Sequence, residues 1–564
     1  MKETENLELD SKTVGALPII NCFLQRIGLR DLLAEYLVSR KNQKLPHAEA
    51  IVLFVRNILI EREPLYKLSE WAGAFDPDLV GLAETAPSIL NDDRVGRSLD
   101  ALFDADRASL MTKIVLHVVD EFAIDLAQLH NDSTTVTVSG EYKRNRSHHQ
   151  GKSSLALTYG HNKDHRSDLK QLLFTLTVSR DGAVPIHYKG YDGNTTDDKT
   201  HIQTWEALRR LTAKSDFIYV ADSKLCTREQ MNYLGREGGR FITVMPESRK
   251  ECSWFHDWYH THGIQWSGLL KRPDLRNPGT CVHVYWGYES PVPSEEGYRI
   301  IWILSSQKLE QDSRCRQRRI EKTIHDLDAL RQKVGTKRWK TKETIAQAVE
   351  AILHKYHSAD WFEWKLVPEQ VITYKQKGMG RPGKNTEYVK MVKEKWTFEA
   401  MPNGIKIQHD SEIDGMFPLL TNIPQKQLSM RQILLKYKFQ PYIEKRHQQF
   451  KSVFKAAPVF LKTPHRIEAL MFIYFVVLLL NALIERELRS SMQRLQIRTL
   501  PLYPENRKCR YPTTTRIIDL FSNHRRHILC NGSKQIKCFH DDISAIQDQV
   551  LQLLDISNSY YHRR

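Results

Sequence analysis

The sequence predicts a mixed α/β protein, and two observations support this fold class. Apolar residues recur every three or four positions over residues 14–120, which indicates a series of amphipathic helices. From about residue 124 the apolar period changes to two, which indicates strands. With 564 residues, of which 41% are apolar, the chain is long enough for about three or four domains.

The first 120 residues predict helices with recognisable start signals. Four segments carry the helical period: Ala16–Leu37, Ala48–Ile60, Leu65–Phe75 and Asn91–Phe103. We therefore predict a helical N-terminal domain over residues 1–120. Arg56, Arg62 and Lys67 are candidate contacts to DNA phosphates in this domain, although a packed helical subdomain without a DNA role fits the pattern equally well.

Residues 121–245 alternate between predicted strands and helices. The strands are 126–138, 172–178, 184–188, 217–221 and 240–245, and the helices are 200–211 and 227–235. Three strands, helix, strand, helix, strand is the element order of a ribonuclease H-like core. In that architecture, acids on the first and fourth strands lie side by side. Here these acids are Asp132, in the middle of the first strand, and Asp222, directly after the fourth.

Residues 246–405 interrupt this predicted core with a Trp-rich insertion. Strand-like segments fall at 281–288, 298–304, 371–375 and 397–401, and basic helices at 309–333 and 341–356. Between the last two strand-like segments lies a turn, Gly378–Gly383. Its Gly-Arg-Pro sequence, centred on Arg381, suits either a DNA minor-groove contact or a simple strand connection.

Residues 406–495 predict the second part of the core, and residues 496–564 a basic, loop-rich tail that ends in an amphipathic segment. The most apolar run, Ala469–Ile484, is shorter than the roughly 20 residues that span a bilayer, so we predict a buried helix and no membrane association. The polar N-terminus is not typical of a secretory signal. The eight cysteines show no CxxC pair, which favours reduced thiols and a cytoplasmic protein.

The segment Tyr437–Lys451 predicts a helix with one polar face. Tyr437, Gln440, Glu444 and Lys451 project within an arc of about 60° at roughly 100° per residue. This face combines a carboxylate, which suits a divalent metal, with an ammonium group, which suits a phosphate. Only Asp132 and Asp222 are placed to complete a metal site with Glu444. The net charge of +16 and the pI near 9.3 point to a polyanionic partner, with solubility alone as the alternative.

At these motifs the sequence resembles the DDE transposases of bacterial insertion sequences, in the branch with a Tyr-x2-Arg-x3-Glu-x6-Lys signature. Tyr437, Gln440, Glu444 and Lys451 match its spacing, with Gln440 in place of the Arg. The other matching segments are His130–Thr135, Tyr219–Lys224, Tyr159–Gln171, Asp192–Asp197 and Asp414–Asn422. The neutral amide of Gln440 would contact phosphate more weakly than an arginine does.

The resemblance implies a transposase that binds the terminal inverted repeats of its own element and carries out cleavage and strand transfer. Asp132, Asp222 and Glu444 would be the catalytic residues and would hold two Mg²⁺ ions, or Mn²⁺. Tyr437, Gln440 and Lys451 would contact DNA, and Arg381 is a further candidate on the strength of its Gly-Arg-Pro turn. The partners would be the terminal repeats, target DNA and a second copy of the chain, in the bacterial cytoplasm and on the nucleoid when bound to DNA. Two alternatives remain: an inactive DNA-binding derivative, and a metal-dependent nuclease without strand transfer.

Overall fold

The structure is a computed structural model that describes residues 7–82, 86–273, 282–336, 338–454, 459, 461–531 and 534–561. The chain forms two compact units. The core unit comprises Met1–Val244, Thr421–Ile423 and Ile433–Arg564, and the insertion unit comprises Met245–Leu420 and Pro424–Gln432. Both units contain helices and strands, which confirms the mixed α/β prediction.

The N-terminal part of the core unit is one strand followed by seven helices. They are β1 Leu7–Thr13, α1 Leu17–Ile27, α2 Leu29–Tyr36, α3 His47–Ile60, α4 Leu68–Ala74, α5 Pro77–Val80, α6 Asp92–Asp104 and α7 Arg107–Glu121. The single helix predicted over 16–37 is wrong, because Gly28 adopts a left-handed conformation with φ +64° and separates α1 from α2. Asn91 caps α6 as predicted, since its side chain accepts a hydrogen bond from the Arg94 N–H at 2.8 Å.

Two of the three predicted phosphate contacts in this region are internal. The Arg56 guanidinium donates to Asn21 Oδ1 at 2.7 Å and to the Val80 carbonyl at 3.1 Å. Arg62 Nε donates to the Tyr474 hydroxyl at 2.9 Å. Both groups therefore hold helices together, and only Lys67 is exposed.

Five strands of a larger mixed sheet follow in the core unit. Their part of the chain contains β2 Gln128–Val138, β3 His148–His149, β4 Lys152–Ser153, β5 Lys170–Ser179, β6 Pro185–Asp192, α8 His201–Thr212, β7 Ile218–Val220, α9 Arg228–Arg236 and β8 Arg240–Val244. Within this unit the strand order is β6-β5-β2-β7-β8, and β3 and β4 form a separate small hairpin. β5 is antiparallel to β2 and β6, whereas β7 is parallel to β2 and β8. Asp132 lies in β2, and Asp222 follows the end of β7.

The insertion unit contains a second set of strands and long helices. Its elements are α10 Lys250–His262, β9 Ser267–Pro273, β10 Val282–Glu289, β11 Arg299–Ser305, α11 Ser306–Arg331, α12 Lys342–Lys355, β12 Phe362–Gln376, β13 Tyr388–Pro402, α13 Gly404–Ser411 and β14 Met416–Thr421. Within it, the strand order is β14-β11-β10-β9, and β12 and β13 pair along 15 residues each. The segments predicted at 371–375 and 397–401 are therefore parts of one much longer hairpin.

The chain returns to the core unit through helices. They are α14 Met430–Tyr437, α15 Gln440–Gln448, α16 Pro464–Arg494, α17 Thr514–Phe521 and α18 Ala545–Leu553, with a π-helical turn at Gln449–Val453 after α15. α16 contacts α3, α6 and β6. Among the described residues, α16 is the one helix that is long and apolar enough to cross a membrane, but 94% of its most apolar window is buried inside the protein. This burial is what a central core helix requires.

The C-terminal tail is more ordered than the sequence predicts. β15 Arg525–Asn531 and β16 Lys534–His540 form a hairpin, and β1 pairs with β15 in an antiparallel register from Leu7↔Asn531 to Thr13↔Arg525. The sequence reading missed all three strands because Lys, Arg, His and Asp side chains obscure their apolar alternation.

Candidate active site

Asp132 lies on β2, and Asp222 follows β7, the parallel strand that pairs with β2. The register of β2 and β7 pairs Gln128 with Ile218 and His130 with Val220. Asp132 and Asp222 each stand two residues beyond the last pair, so both side chains point to the same face of the sheet. Since neighbouring strands lie about 4.8 Å apart, this register places the two carboxylates next to each other.

Local contacts fix the backbone of both acids. Asp132 Oδ1 accepts a hydrogen bond from the Ser133 N–H at 2.8 Å. Asp222 ends its strand and caps a short 3₁₀ turn, where its side chain accepts from the Lys224 N–H at 3.1 Å. The Thr243 hydroxyl of β8 donates to the Asp222 carbonyl at 2.6 Å. The capping role and a metal role are compatible, because a carboxylate has two oxygens.

Glu444 lies on α15 between Gln440 and His447, whose side chains both face β2. Gln440 Nε2 donates to the Asn131 carbonyl at 3.2 Å, and Gln440 Oε1 lies 2.9 Å from His130 Nδ1. His447 Nε2 lies 3.7 Å from Asp132 Oδ2. Glu444 stands four residues after Gln440 and three residues before His447, so it shares their helix face. It is exposed, unlike Gln440 and His447.

The electrostatics of the site link Asp132 to the other two acids. Burial raises the pKa of Asp132 from 3.8 to about 7, and the negative charges of Asp222 and Glu444 act in the same direction. Burial also raises the pKa of Tyr437, whose phenol experiences the charges of all three acids. Clustered carboxylates that repel one another favour binding of a divalent cation, which prefers oxygen ligands. The residues present therefore fit a site for a divalent cation.

Lys163 is a member of this site that the sequence did not single out. Its ammonium group donates to the Ser133 carbonyl and hydroxyl, both at 2.7 Å, and lies 2.9 Å from Asp197 Oδ2. It also lies 4.0 Å from Asp132 Oδ1, and its charge opposes the rise in the pKa of Asp132. Lys163 falls inside the matching segment Tyr159–Gln171, but nothing in a single sequence distinguishes it from the segment's other basic residues.

His447 is the second residue that the sequence reading missed. It is 7% exposed, and neither ring nitrogen makes a hydrogen bond within the described part of the chain. Burial, with the charges of Lys163 and Lys451, lowers the pKa of His447 to about 3. A neutral imidazole therefore faces Asp132, and it adds no positive charge to the site.

The four predicted DNA contacts lie on different elements. The single helix predicted over Tyr437–Lys451 is wrong, because the helix breaks at residues 438–439 and Pro441 starts a new one. Tyr437 therefore ends α14, and Lys451 lies in the π-helical turn, where its ammonium contacts both oxygens of Asp164 at 2.6 Å. Arg381 lies exposed in the turn between β12 and β13 of the insertion unit.

The position of Gln440 differs most from the sequence-based expectation. Gln440 is 6% exposed, and both ends of its amide are hydrogen-bonded to β2. Direct contact with DNA would require breaking these bonds. Its geometry suits positioning of Glu444, and a DNA contact by any of the four residues stays a prediction.

A second group of side chains that could bind a metal lies away from the three acids and consists of Asp100, His149 and His465. One ligand atom from each of Asp100, His149 and His465 lies within 4.8 Å of the others. The oxygens of Asp100 are already used, since Arg466 donates to each of them at 2.7 Å and His465 Nε2 lies 2.9 Å from Oδ1. This cluster is therefore satisfied as a hydrogen-bond network.

Comparison with known proteins gives limited matches. A family model described as a domain of unknown function, DUF4277, matches residues 9–116. No curated protein matches the sequence. The fold is similar to a piggyBac transposase synaptic complex with hairpin DNA, at 9% identity and a TM-score of 0.36, covering 90% of this chain and 79% of that one.

A Mos1 transposase paired-end complex with the left transposon end is also similar. It has 10% identity and a TM-score of 0.15, covering 40% of this chain and 74% of that one. Both of these structures are of transposases. Because both TM-scores are below 0.5, we base the functional assignment on this chain's own residues.

Proposed function

We propose that this protein is a DNA transposase of the DDE type, with Asp132, Asp222 and Glu444 as its catalytic residues. The observation that carries this proposal is the β2–β7 register, which supports the proximity of Asp132 and Asp222. The hydrogen bond from Gln440 to β2 supports a position of Glu444 on the same side. The influence of Asp222 and Glu444 on the pKa of Asp132 supports a common site.

The strand order supports the finer assignment of a ribonuclease H-like core. Three antiparallel strands, β6-β5-β2, continue into the parallel strands β7 and β8, with α8 and α9 as the connections. We retain the predicted domains with their sequence boundaries: 1–120, 121–245, 246–405 as the insertion, 406–495 and 496–564.

In this assignment the three carboxylates hold two Mg²⁺ ions, for which Mn²⁺ can substitute. When bound, such ions activate the attacking oxygen and stabilise the leaving oxygen of a phosphodiester. The chain's own residues do the positioning: Lys163 fixes the β2 backbone beside Asp132, and Gln440 fixes the helix of Glu444. The substrates would be the terminal inverted repeats and then target DNA, in a homodimeric complex in the bacterial cytoplasm.

The direct test is cleavage of a supercoiled plasmid that carries both flanks of the gene, with and without MgCl₂. The full-length protein should cut at the two ends only with the metal, and Asp132→Asn should bind these ends without cutting. The matched control is Asp168→Asn, which removes an exposed carboxylate paired with Arg166 and should leave cleavage unchanged. Cleavage by Asp132→Asn at the wild-type rate would contradict the assignment.

The same assay separates the two alternatives. A nuclease without transfer would cut but would not join the freed 3′ ends to a second plasmid. An inactive derivative would bind the flanks and cut with neither Mg²⁺ nor Mn²⁺. The presence of all three acids in the sequence favours an active enzyme.

A further inference from the structure

A large open cavity lies among the N-terminal helices of the core unit. Its volume is about 1000 Å³, and it lies between the loop that joins α2 to α3 and one face of α6. The β3–β4 hairpin contributes His149 to its wall. Almost all of this lining falls in residues 9–116, the segment that matches the family model without a described function.

Four basic side chains line this cavity from two sides. Arg40 and Lys44 belong to the loop, and Arg94 and Arg97 stand three residues apart on α6, so they share one helix face. Within the described residues none of the four makes an ion pair, and Arg40, Lys44 and Arg97 are exposed. The Nε of Arg94 is buried without a hydrogen-bond partner in the same part of the chain.

The acids of the cavity do not neutralise these four cations. Asp100 receives both hydrogen bonds of the Arg466 guanidinium, and Asp104 accepts from His149 Nδ1 at 2.8 Å and 3.0 Å. Burial lowers the pKa of His47 in the cavity wall, and the charges of Arg97 and Arg94 lower it further. The cavity therefore carries a net positive charge, because Asp100 is paired with Arg466 and the remaining carboxylate, Asp104, offsets only part of the charge of the four cations.

This positive charge also decides what kind of ligand the cavity accepts. The Asp100, His149 and His465 cluster lies at its edge, but a divalent cation there would face the guanidinium of Arg466 and the four unpaired cations. An anion would gain from all of them. Guanidinium groups bind phosphate through two parallel hydrogen bonds, which makes phosphate the best-matched anion.

We propose that this cavity, through Arg40, Lys44, Arg94 and Arg97, binds consecutive phosphates of a DNA backbone and so positions DNA independently of the carboxylate site. A cavity of this volume with cations on two walls is larger than a single phosphate ion needs. Contacts to phosphates fix the register of DNA without reading its sequence. The inference rests on the proposed function only in taking DNA as the source of the phosphates.

The test is the salt dependence of DNA binding by the full-length protein without divalent metal, measured by fluorescence anisotropy. Each lost phosphate contact reduces the slope of log K against log salt by roughly 0.9. Arg40→Gln with Arg97→Gln should therefore reduce the slope by about 2 and the affinity at least tenfold at low salt. A second double variant, Arg40→Gln with Lys44→Gln, changes only the loop. It should reduce the slope and the affinity to the same extent as the first.

The matched control removes two positive charges elsewhere in the core unit, through Lys214→Gln and Arg236→Gln, both exposed residues. It should change the slope by much less than the cavity pairs. An unchanged slope in both cavity pairs, with thermal unfolding as in the wild type, would overturn the inference.

Two further arms identify the source of the phosphate and separate this inference from the proposed function. Inorganic phosphate that stabilises the wild type but not the cavity pairs, together with unchanged DNA binding, would show a small-anion site and overturn the DNA assignment. Asp132→Asn should keep the wild-type slope. If the wild type binds DNA through the cavity but never cleaves it, the cavity inference stands and the transposase proposal fails.

Discussion

At the scale of single residues, the site is built from groups that are unfavourable for stability. Asp132 is mostly buried beside two other acids, and the ring nitrogens of His447 have no hydrogen-bond partner in the described part of the chain. Natural proteins keep such arrangements at functional sites, because the strain is relieved when a ligand binds. Two predictions about stability follow from the pKa values of Asp132 and of two other buried groups, His130 and His187.

The first prediction is that Asp132→Asn stabilises the metal-free protein at pH 8. In the folded state the pKa of Asp132 is about 7, against 3.8 when unfolded. The unfolded carboxyl therefore ionises first, and stability falls as the pH rises from about 4 to 7. Removing the charge should raise the free energy of unfolding at pH 8 by about 2–4 kcal/mol, measured by chemical denaturation.

Magnesium supplies the matching control for this prediction. It should raise the unfolding temperature of the wild type and leave that of Asp132→Asn nearly unchanged. An Asp132→Asn protein that is less stable than the wild type at pH 8 would show that the carboxylate is not under repulsion.

The second prediction concerns stability at low pH. It is best measured in the Asp132→Asn variant, because the Asp132 carboxyl changes the free energy of unfolding in the opposite direction over this pH range. Burial lowers the pKa of His130 and His187 from 6.5 to about 4. Their stabilising contribution is present above pH 6.5, and it is lost as the pH falls towards 4, because the unfolded imidazoles take up protons first. The free energy of unfolding should fall by roughly 1–3 kcal/mol for each imidazole. A flat profile over this range would contradict their burial as neutral groups.

At the scale of elements, α15 is the part that decides whether Glu444 meets the two aspartates. One end is held to β2 by Gln440, and the other end is held to α16 by an ion pair between Arg446 and Glu485 at 2.8 Å. Arg446 also donates to the carbonyls of Gly182 and Ala183. Both ends can be tested separately.

The third prediction reverses an expectation from the sequence. Motif matching suggests that Gln440→Arg would restore the arginine of the transposase signature that the sequence resembles. Because Gln440 is buried with its amide satisfied, we expect this change to destabilise the fold by roughly 2–4 kcal/mol, measured by denaturation. Gln448→Arg, on an exposed position of the same helix, is the control and should have little effect. Equal stability of Gln440→Arg and the wild type would show that position 440 can face outward.

The fourth prediction tests the other end of α15. The side chains of Arg446 and Glu485 are 4% and 3% exposed. Glu485→Ala leaves the buried guanidinium of Arg446 without its carboxylate partner. It should lower the free energy of unfolding by about 3–5 kcal/mol. Replacing both residues with Arg446→Met and Glu485→Leu should cost less than Glu485→Ala alone. Additive losses in the double variant would mean that the two groups do not act as a pair.

At the scale of the whole molecule, local pattern predicted most elements but not the residues around the acids. Periodicity identified β2, β5, β7 and α6, because their residues carry a clear apolar rhythm. It could not show that Lys163 and His447 surround Asp132, since those contacts join segments far apart in the sequence. Nor could it separate Arg56, which is internal, from Arg94 and Arg97, which line a cavity. Charge alone does not reveal burial.

The central claim is that Asp132, Asp222 and Glu444 form one metal site, and the most direct measurement is an anomalous difference map from crystals of the full-length protein soaked in MnCl₂. We expect one or two peaks, about 4 Å apart if two, with all three carboxylates at bonding distance of about 2.2 Å. A map with manganese bound only at Asp100, His149 and His465, or with no peak at the three acids, would contradict the claim.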